Sequence, residues 1–341
     1  MIDDAGVIAS SRHVVKRPSN VQTACALVRV DRMDFAKPMK IGQLAMVEAM
    51  PTFASPSSVE IKVNVWAEDL HSGVVQKTNQ ASLWYVRVED CARPQNKMGW
   101  SPNDAIPPKL KVVKDIPPLE FESQREAHEA LARYNRQKES RRGSLEAAKQ
   151  NRSPNVLAVL SHMVLPSDCY GNGTVFGGTL MKLIDNAAAC TAISYCKTTA
   201  VTVSMDALNF EAPIFLGNIA RFYAHVTFTS SRSVEVTVHV EAEDLMRLVF
   251  FRRFFFHVAC APGQILTRSV FQCGNSGQSW RAVSAHLTFV SLDGNGKSLP
   301  VKPLEPRTHE ERMDFQAGMV SFDSFFGKQL ESRFDKCSFL L

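Results

Sequence analysis

Residues 24–70 of this chain recur at 199–245 with a constant offset of 175 and no gap, and 19 of the 47 aligned positions are identical. Unrelated segments of average composition match at roughly one position in fifteen, so the chain carries two copies of one unit. The clearest stretch sets Phe53-Ala54-Ser55-Pro56-Ser57-Ser58-Val59-Glu60 against Phe228-Thr229-Ser230-Ser231-Arg232-Ser233-Val234-Glu235, and both copies run on to Ala-Glu-Asp-Leu at 67–70 and 242–245. A period this long belongs to a domain, not to a solenoid unit. The full length of 341 residues leaves room for two such domains, each with a core of its own.

Several function classes drop out early. The net charge is only +5, and the 39 basic residues are interspersed with 34 acidic ones, which does not make the basic stripe of a nucleic-acid binder. The eight cysteines (25, 91, 169, 190, 196, 260, 273, 337) contain no C-x-x-C and no spacing matched to histidine pairs, so neither a zinc site nor a disulfide framework is expected, and buried free thiols are. Met1-Ile2-Asp3-Asp4 lacks the basic start and apolar run of a signal peptide, and no window reaches the eighteen or so uncharged apolar residues of a membrane span. A cytoplasmic chain without stable membrane insertion is expected.

The second copy shows the pattern of one unit. Gly177-Gly178 precedes an apolar stretch, 179–192, whose many small residues suit a buried helix that a sheet approaches closely. Strand-like segments follow at 201–210, 219–229, 234–241 and 285–291, rich in β-branched and aromatic residues and separated by Gly, Pro or Ser. One helix followed by an antiparallel sheet is an α+β layer. The expected division is a first repeat over 1–90, a linker over 91–152 with a charged, solvated helix near 120–151, a second repeat over 153–300, and a tail over 301–341.

Aligning the copies exposes two irregularities. Met1 to Gly6 match Leu183 to Ala188 at an offset of 182, which pairs Asp3 with Asp185. On that alignment the chain begins inside the first repeat's helix, the segment around 14–23 is a longer loop, and the Gly-Gly loop of the first copy is missing. The other irregularity is an unmatched block, about 247–275, holding Leu248-Val249-Phe250-Phe251-Arg252-Arg253-Phe254-Phe255-Phe256. It reads as a translated intron, with an aromatic interface loop as the alternative.

The chemistry centres on Asp185. A carboxylate on an apolar, small-residue helix is costly to bury, and such groups are kept mostly where they act. Gly177 and Gly178 stand where that helix begins, with unpaired N–H groups and the positive end of the dipole, so a developing oxyanion can be held there. Ser230, Ser231, Arg232 and Ser233 combine hydroxyls with a guanidinium, a set that suits phosphate oxygens, with a plain hairpin turn as the alternative reading.

The loop Pro166-Ser167-Asp168-Cys169 through Gly171-Asn172-Gly173-Thr174-Val175-Phe176-Gly177-Gly178, the helix with Leu183-Ile184-Asp185, and Thr227-Phe228-Thr229-Ser230 with Ser233-Val234-Glu235 resemble the tandem-hotdog acyl-CoA thioesterases of the brain-type cytosolic family. The resemblance covers nearly the whole chain. It implies two hotdog domains, each a long buried helix wrapped by a curved antiparallel sheet, and hydrolysis of fatty acyl-CoA to fatty acid and CoA. The position of Asp185 would activate water or attack the thioester directly. No cofactor is implied beyond the CoA of the substrate, and a homo-oligomer, a trimer of two-hotdog chains, is. The family's site lies between the hotdogs, with an Asn in the first copy's Gly-Gly loop facing the Asp of the second. Here that Asn would fall upstream of Met1. The converse site joins Asp3 to the second copy's loop, where Thr174 takes the aligned place and Asn172 stands two residues away. Phe176 replaces the His usual before Gly-Gly. A hotdog hydratase needs a histidine near the helix, and none lies between Phe176 and Ser194. A non-catalytic acyl-CoA binder or scaffold is the remaining alternative.

Overall fold

The computed structural model describes residues 1–14, 23–89, 110–121, 123–147, 158–170, 173–244 and 279–325. Asn172, the unmatched block at 247–275 and much of the expected linker lie outside them.

The first repeat consists of helix α1 (Ile2–Val14) and strands β1 (Thr23–Phe35), β2 (Leu44–Ala54), β3 (Ser58–Glu68) and β4 (Val75–Glu89). Helix α2 (Gln124–Ala147) follows, then β5 (Ala158–Met163) and a short turn of 3-10 helix, Pro166–Asp168. The second repeat continues with α3 (Gly177–Cys196), β6 (Thr199–Phe210), β7 (Ile219–Thr229), β8 (Ser233–Glu243) and β9 (Ser279–Leu292); a last helix, α4, spans His309–Phe325. The expected strands are all present, β7 with the bounds read from the sequence, and β5 and α4 are additions to that reading.

Among the described residues, all nine strands join one antiparallel sheet, in the order β2-β3-β4-β1-β6-β9-β8-β7-β5. The repeats meet where β1 pairs with β6, from Arg29 opposite Asn209 to Asp34 opposite Ser204. Equivalent pairings recur within each repeat: Phe53 faces Glu60 as Phe228 faces Glu235. This is the tandem hotdog fold.

Strand alternation explains which face receives the helices. Val59, Ile61, Val63, Leu83 and Tyr85 of the first repeat are fully buried on the inner face, as are Val234, Val236, Val238, Val240, Leu287 and Phe289 of the second. Helix α1 packs on its own repeat's strands, α3 on those of the second repeat, and the two helices touch. Ala187, Ala188 and Ala192 of α3, all buried, let the sheet come close, while Leu180 and Ile184 fill the space between. Lys197 in the left-handed conformation, φ 59°, ends α3 and turns the chain into β6 within two residues.

The outer face is covered too, contrary to the expectation of a solvated linker helix. Tyr134 of α2 stacks on Phe53 at 5.0 Å and lies 5.8 Å from Trp84, Ala130 is fully buried against the same pair, and Arg133 reaches Glu60 at 3.1 Å. Helix α4, from the stretch expected to be a tail, covers the equivalent patch of the second repeat, with Phe315 5.1 Å from Phe228 and Gly318 against Phe228 and Glu235. The reason is physical: polar strand positions 60 and 235 sit beside aromatic ones, leaving a surface that a helix with both kinds of side chain can bury. Of the cysteines described, all free, only Cys25 is buried; Cys169 and Cys196 are partly so, and Cys190 is exposed because its helix position faces outward.

Candidate active site

Helix α3 begins after Phe176, whose side chain provides no cap for the free N–H groups of the first turn. The acceptor comes from the other repeat. Asp3 of α1 directs Oδ2 at the Gly178 N–H, which donates to it at 2.7 Å. Tyr85 of β4 donates its hydroxyl to Oδ1 at 2.7 Å, and the Tyr170 hydroxyl donates to Oδ2 at 3.4 Å. Asp3 is 3% exposed. Burial pushes its carboxyl above the usual carboxylate range, while the hydrogen bonds from Tyr85 and Gly178 pull the other way. Burial, followed by the proximity of Asp3, raises both phenols, so they act as neutral donors.

The two glycines are required by proximity. A Cβ at Gly177 would lie 2.5 Å from Leu27 Cδ2 and 3.2 Å from Asp3 Oδ2, and one at Gly178 would lie 3.3 Å from Asp3 Cβ. The preceding loop is tied down by its backbone. Tyr170 N–H donates to Thr174 O at 2.8 Å, Gly173 takes φ +77°, and Phe176 N–H donates to Asp168 O at 2.8 Å. Tyr170 packs on Phe176 with ring centroids 3.8 Å apart, so Phe176 supports the phenol that reaches Asp3. Thr174 is buried and bridges to Phe215. Beside this centre lies a cavity of about 250 Å³ between the repeats, walled by Leu27, Val86, Val88, Leu180 and Phe210 and bounded by Tyr170, Thr174 and Gly177. Apolar walls with a few convergent polar groups are the usual form of a small-molecule site.

Asp185 is placed elsewhere. It stands seven residues after Gly178 on the same helix, about 10 Å along the axis, so the two do not meet. Its Oδ1 accepts from Thr202 Oγ1 at 2.7 Å, and burial raises its carboxyl above the usual range. The structure thus joins Asp3, Gly177 and Gly178, with Thr174 at the border of the same cavity. Ser230 to Ser233 form the β7–β8 hairpin. Ser230 Oγ accepts from the N–H of Arg232 at 3.3 Å and of Ser233 at 3.0 Å and bonds Ser233 Oγ at 2.6 Å, while Arg232 donates to Ser298 Oγ at 3.3 Å. Ser55 plays the same part in the first repeat, accepting from the N–H of Ser57 and Ser58, so turn chemistry accounts for the shared serines. Tyr85 and Tyr170 are the residues of the centre that reading the sequence passed over.

A double-hotdog protein with a buried carboxylate of one repeat held at a helix N-terminus of the other is the class that fold and site define. The thioesterase superfamily model matches residues 1–74 and 172–249. The cytosolic acyl coenzyme A thioester hydrolase of Homo sapiens is 34% identical over 331 residues, covering 93% of this chain and 74% of that protein. Its counterpart in Rattus norvegicus is 35% identical over the same shares of both chains. This chain belongs to the family of cytosolic acyl-CoA thioester hydrolases. Among solved structures, acyl-CoA hydrolase from Staphylococcus aureus in complex with butyryl coenzyme A, coenzyme A and coenzyme A disulfide is 26% identical over 52% of this chain and 90% of that one, with a TM-score of 0.40.

Proposed function

We propose that the chain hydrolyses fatty acyl-CoA to free fatty acid and CoA in the cytosol, with Asp3 and the N-terminus of α3 as the reacting centre. The observation that carries this is the Asp3 carboxylate of one repeat seated on the Gly178 N–H of the other, beside an apolar cavity. In the reaction the thioester oxygen takes over the Gly178 N–H, where the helix dipole and the free donor favour developing negative charge. The released carboxylate then deprotonates a water that attacks the carbonyl carbon, or attacks that carbon itself and is freed by water. The C–S bond breaks, CoA leaves as thiolate and takes up a proton. Water is the sole co-reactant in this scheme.

The acyl group is assigned to the cavity, and the CoA phosphates to Ser230, Ser231, Arg232 and Ser233, with the guanidinium as the charged partner. The chains are taken to assemble as trimers, a point that light scattering tests directly. Asn172, two residues before Thr174 in the sequence, is proposed as a further polar contact of the centre.

Two specific observations favour other readings. Asp3 already occupies the Gly178 N–H, as a plain cap of α3 would, which suits an acyl-CoA binder that does not turn over. Asp185 is a partly buried carboxylate with a raised titration point, which suits the role that the resemblance assigns to it. Thiol release from palmitoyl-CoA by wild type, Asp3→Asn and Asp185→Asn separates all three. Asparagine caps a helix as well as aspartate does, so Asp3→Asn keeps the fold and is expected to lower kcat by at least about 100-fold. Asp185→Asn is expected to stay within about threefold of wild type. The reverse pair of results would move the reacting centre to Asp185, and tight binding without thiol release in the wild type would establish the binder.

A further inference from the structure

We propose that Tyr85 is the positioning residue for the Asp3 carboxylate, and that Gly6 is glycine in order to admit it. The inference rests on the reading of Asp3 as the reacting group.

The repeats differ at this point in a coordinated way. The helix alignment sets Gly6 against Ala188, and the strand pairing sets Tyr85, opposite Val59, against Phe289, opposite Val234. A Cβ at Gly6 would lie 2.3 Å from Tyr85 Oη and 2.9 Å from Cζ. The first repeat therefore has glycine with a phenol, and the second has alanine with a phenyl ring. Both rings are fully buried, as is Ala188. Packing alone does not demand the hydroxyl, since the second repeat fills the same space with a methyl group. Glycine is also a poorer residue than alanine inside a helix. What the first repeat gains is the bond of Tyr85 to Asp3 Oδ1 at 2.7 Å, whereas Asp185 has Thr202 for a partner instead.

This bond fixes the orientation of the carboxylate. With Oδ1 held by the phenol, Oδ2 faces the Gly178 N–H. When a thioester oxygen takes that N–H, Asp3 stays anchored and Oδ2 is left for the water or the carbonyl carbon. The groups facing Asp3 are Tyr85 from β4, Tyr170 and Gly178 from the second repeat, and Asp4 and the Met1 ammonium from its own end of α1; Cys25 of β1, its thiol pushed up by burial, adjoins the two phenols. Among these, Tyr85 makes the strongest contribution toward the ionised form. Its removal raises the Asp3 titration point further, so the active carboxylate is lost at higher pH.

The test is kcat, KM and the pH profile of kcat with palmitoyl-CoA for Tyr85→Phe, Gly6→Ala, the double variant and Asp3→Asn. Tyr85→Phe is expected to lower kcat by about 10- to 100-fold, to leave KM within about twofold, and to move the acid limb to higher pH. Gly6→Ala, whose methyl displaces the hydroxyl, moves both readouts in the same direction. The double variant recreates the alanine–phenyl packing of the second repeat, so it is the fold control: it regains any thermal stability lost by the single changes and remains as slow as Tyr85→Phe. Wild-type kcat and acid limb in Tyr85→Phe and in the double variant, with Asp3→Asn inactive, would overturn the role of Tyr85 alone. Full activity in Asp3→Asn would overturn the underlying reading and this inference with it.

Discussion

A methyl group at position 177 has no room unless Leu27 moves. The clash is with Cδ2, the far end of a flexible side chain, and Leu27 is itself a wall of the cavity beside the centre. Gly177→Ala is therefore expected to fold, to drive Leu27 into that cavity and to raise KM for long-chain acyl-CoA by about tenfold, a loss of about 1.4 kcal/mol of binding. Gly178→Ala meets Asp3 Cβ at 3.3 Å, closer than ordinary contact, and its effect is expected on kcat through a displaced carboxylate. Steady-state kinetics on the two variants separates these outcomes. Asp3 was legible in the sequence as the repeat partner of Asp185, and Gly177-Gly178 as a helix start. Their meeting was implied by the resemblance, whose converse site joins Asp3 to the second copy's loop, and not by periodicity or spacing, because it depends on which strands join the repeats and so on which helix lies against which loop. Tyr85 was hidden for a different reason: an aromatic residue in an alternating strand reads as core, and only the exchange of Gly6 with Tyr85 for Ala188 with Phe289 marks it as special. In the hairpin turns Ser55 and Ser230 also have a local part, each accepting from the backbone N–H groups of its own turn.

The strands β3 and β8 carry Glu60, Lys62 and Asn64, and Glu235, Thr237 and His239, at every second position, a pattern that ordinarily means one face in water. Glu60 and Glu235 are nonetheless buried, because α2 and α4 lie over them. Periodicity shows that a face is polar, but it does not show what will cover it. The two caps use different chemistry. Glu60 is paired with Arg133 and also accepts from Thr52 and Ser82 at 2.9 Å, whereas Glu235 accepts from Thr227 at 2.9 Å and has His286 4.0 Å away. Burial, the largest influence on Glu235, raises its carboxyl. Arg133→Ala leaves a buried carboxylate with two neutral donors and is expected to destabilise the protein by about 1–3 kcal/mol, the partial exposure of Arg133 keeping the loss below that of a fully buried pair. Thermal denaturation checks it. In α4, a Cβ at Gly318 would fall 2.6 Å from Phe228 Cβ and 3.0 Å from Glu235 Oε1. Gly318→Ala improves helix propensity yet blocks the seat, so limited proteolysis is expected to cut near 301–325 faster while the hotdog core stays intact. Unchanged protection would mean that α4 is not held through this contact.

At the scale of the molecule, one sheet carries both repeats through the β1–β6 seam, and its polar side chains come unequally from the two sides. Arg29 is buried and donates to Asn209 Oδ1 at 2.6 Å, and Arg32 lies 3.7 Å from Asp206. The offset that aligns the repeats sets Ser204 and Ala207 against these arginines, so the seam is not a copy of itself. The run Arg29, Asp31, Arg32, Asp34 would suit an exposed edge, which is why the pairing of β1 with β6 was not legible in it. Burial of ionisable groups on the sheet also sets how the whole fold responds to acid. Asp3, Asp185, Asp206 and Glu235 all have raised titration points, caused first by burial. Such groups take up protons in the folded state first, so their contribution to stability is full below the ordinary carboxylate range and is lost as pH rises through the raised values. His239 has the opposite sign. Burial, then Arg281, His225 and His286, hold its imidazole well below the unperturbed value of 6.5, and its Nδ1 has no hydrogen-bond partner among the described residues. Below pH 6.5 the unfolded chain binds a proton there that the folded chain refuses, which removes up to about 1.4 kcal/mol of stability per pH unit. Comparing wild type with His239→Leu at each pH cancels the carboxylates, which both proteins share. Because His239 is only partly buried, the variant's relative stability is expected to grow by about 1–2 kcal/mol between pH 7.5 and pH 5. Urea denaturation across that range measures the difference directly, and a constant gap would show that His239 takes up its proton in the folded protein.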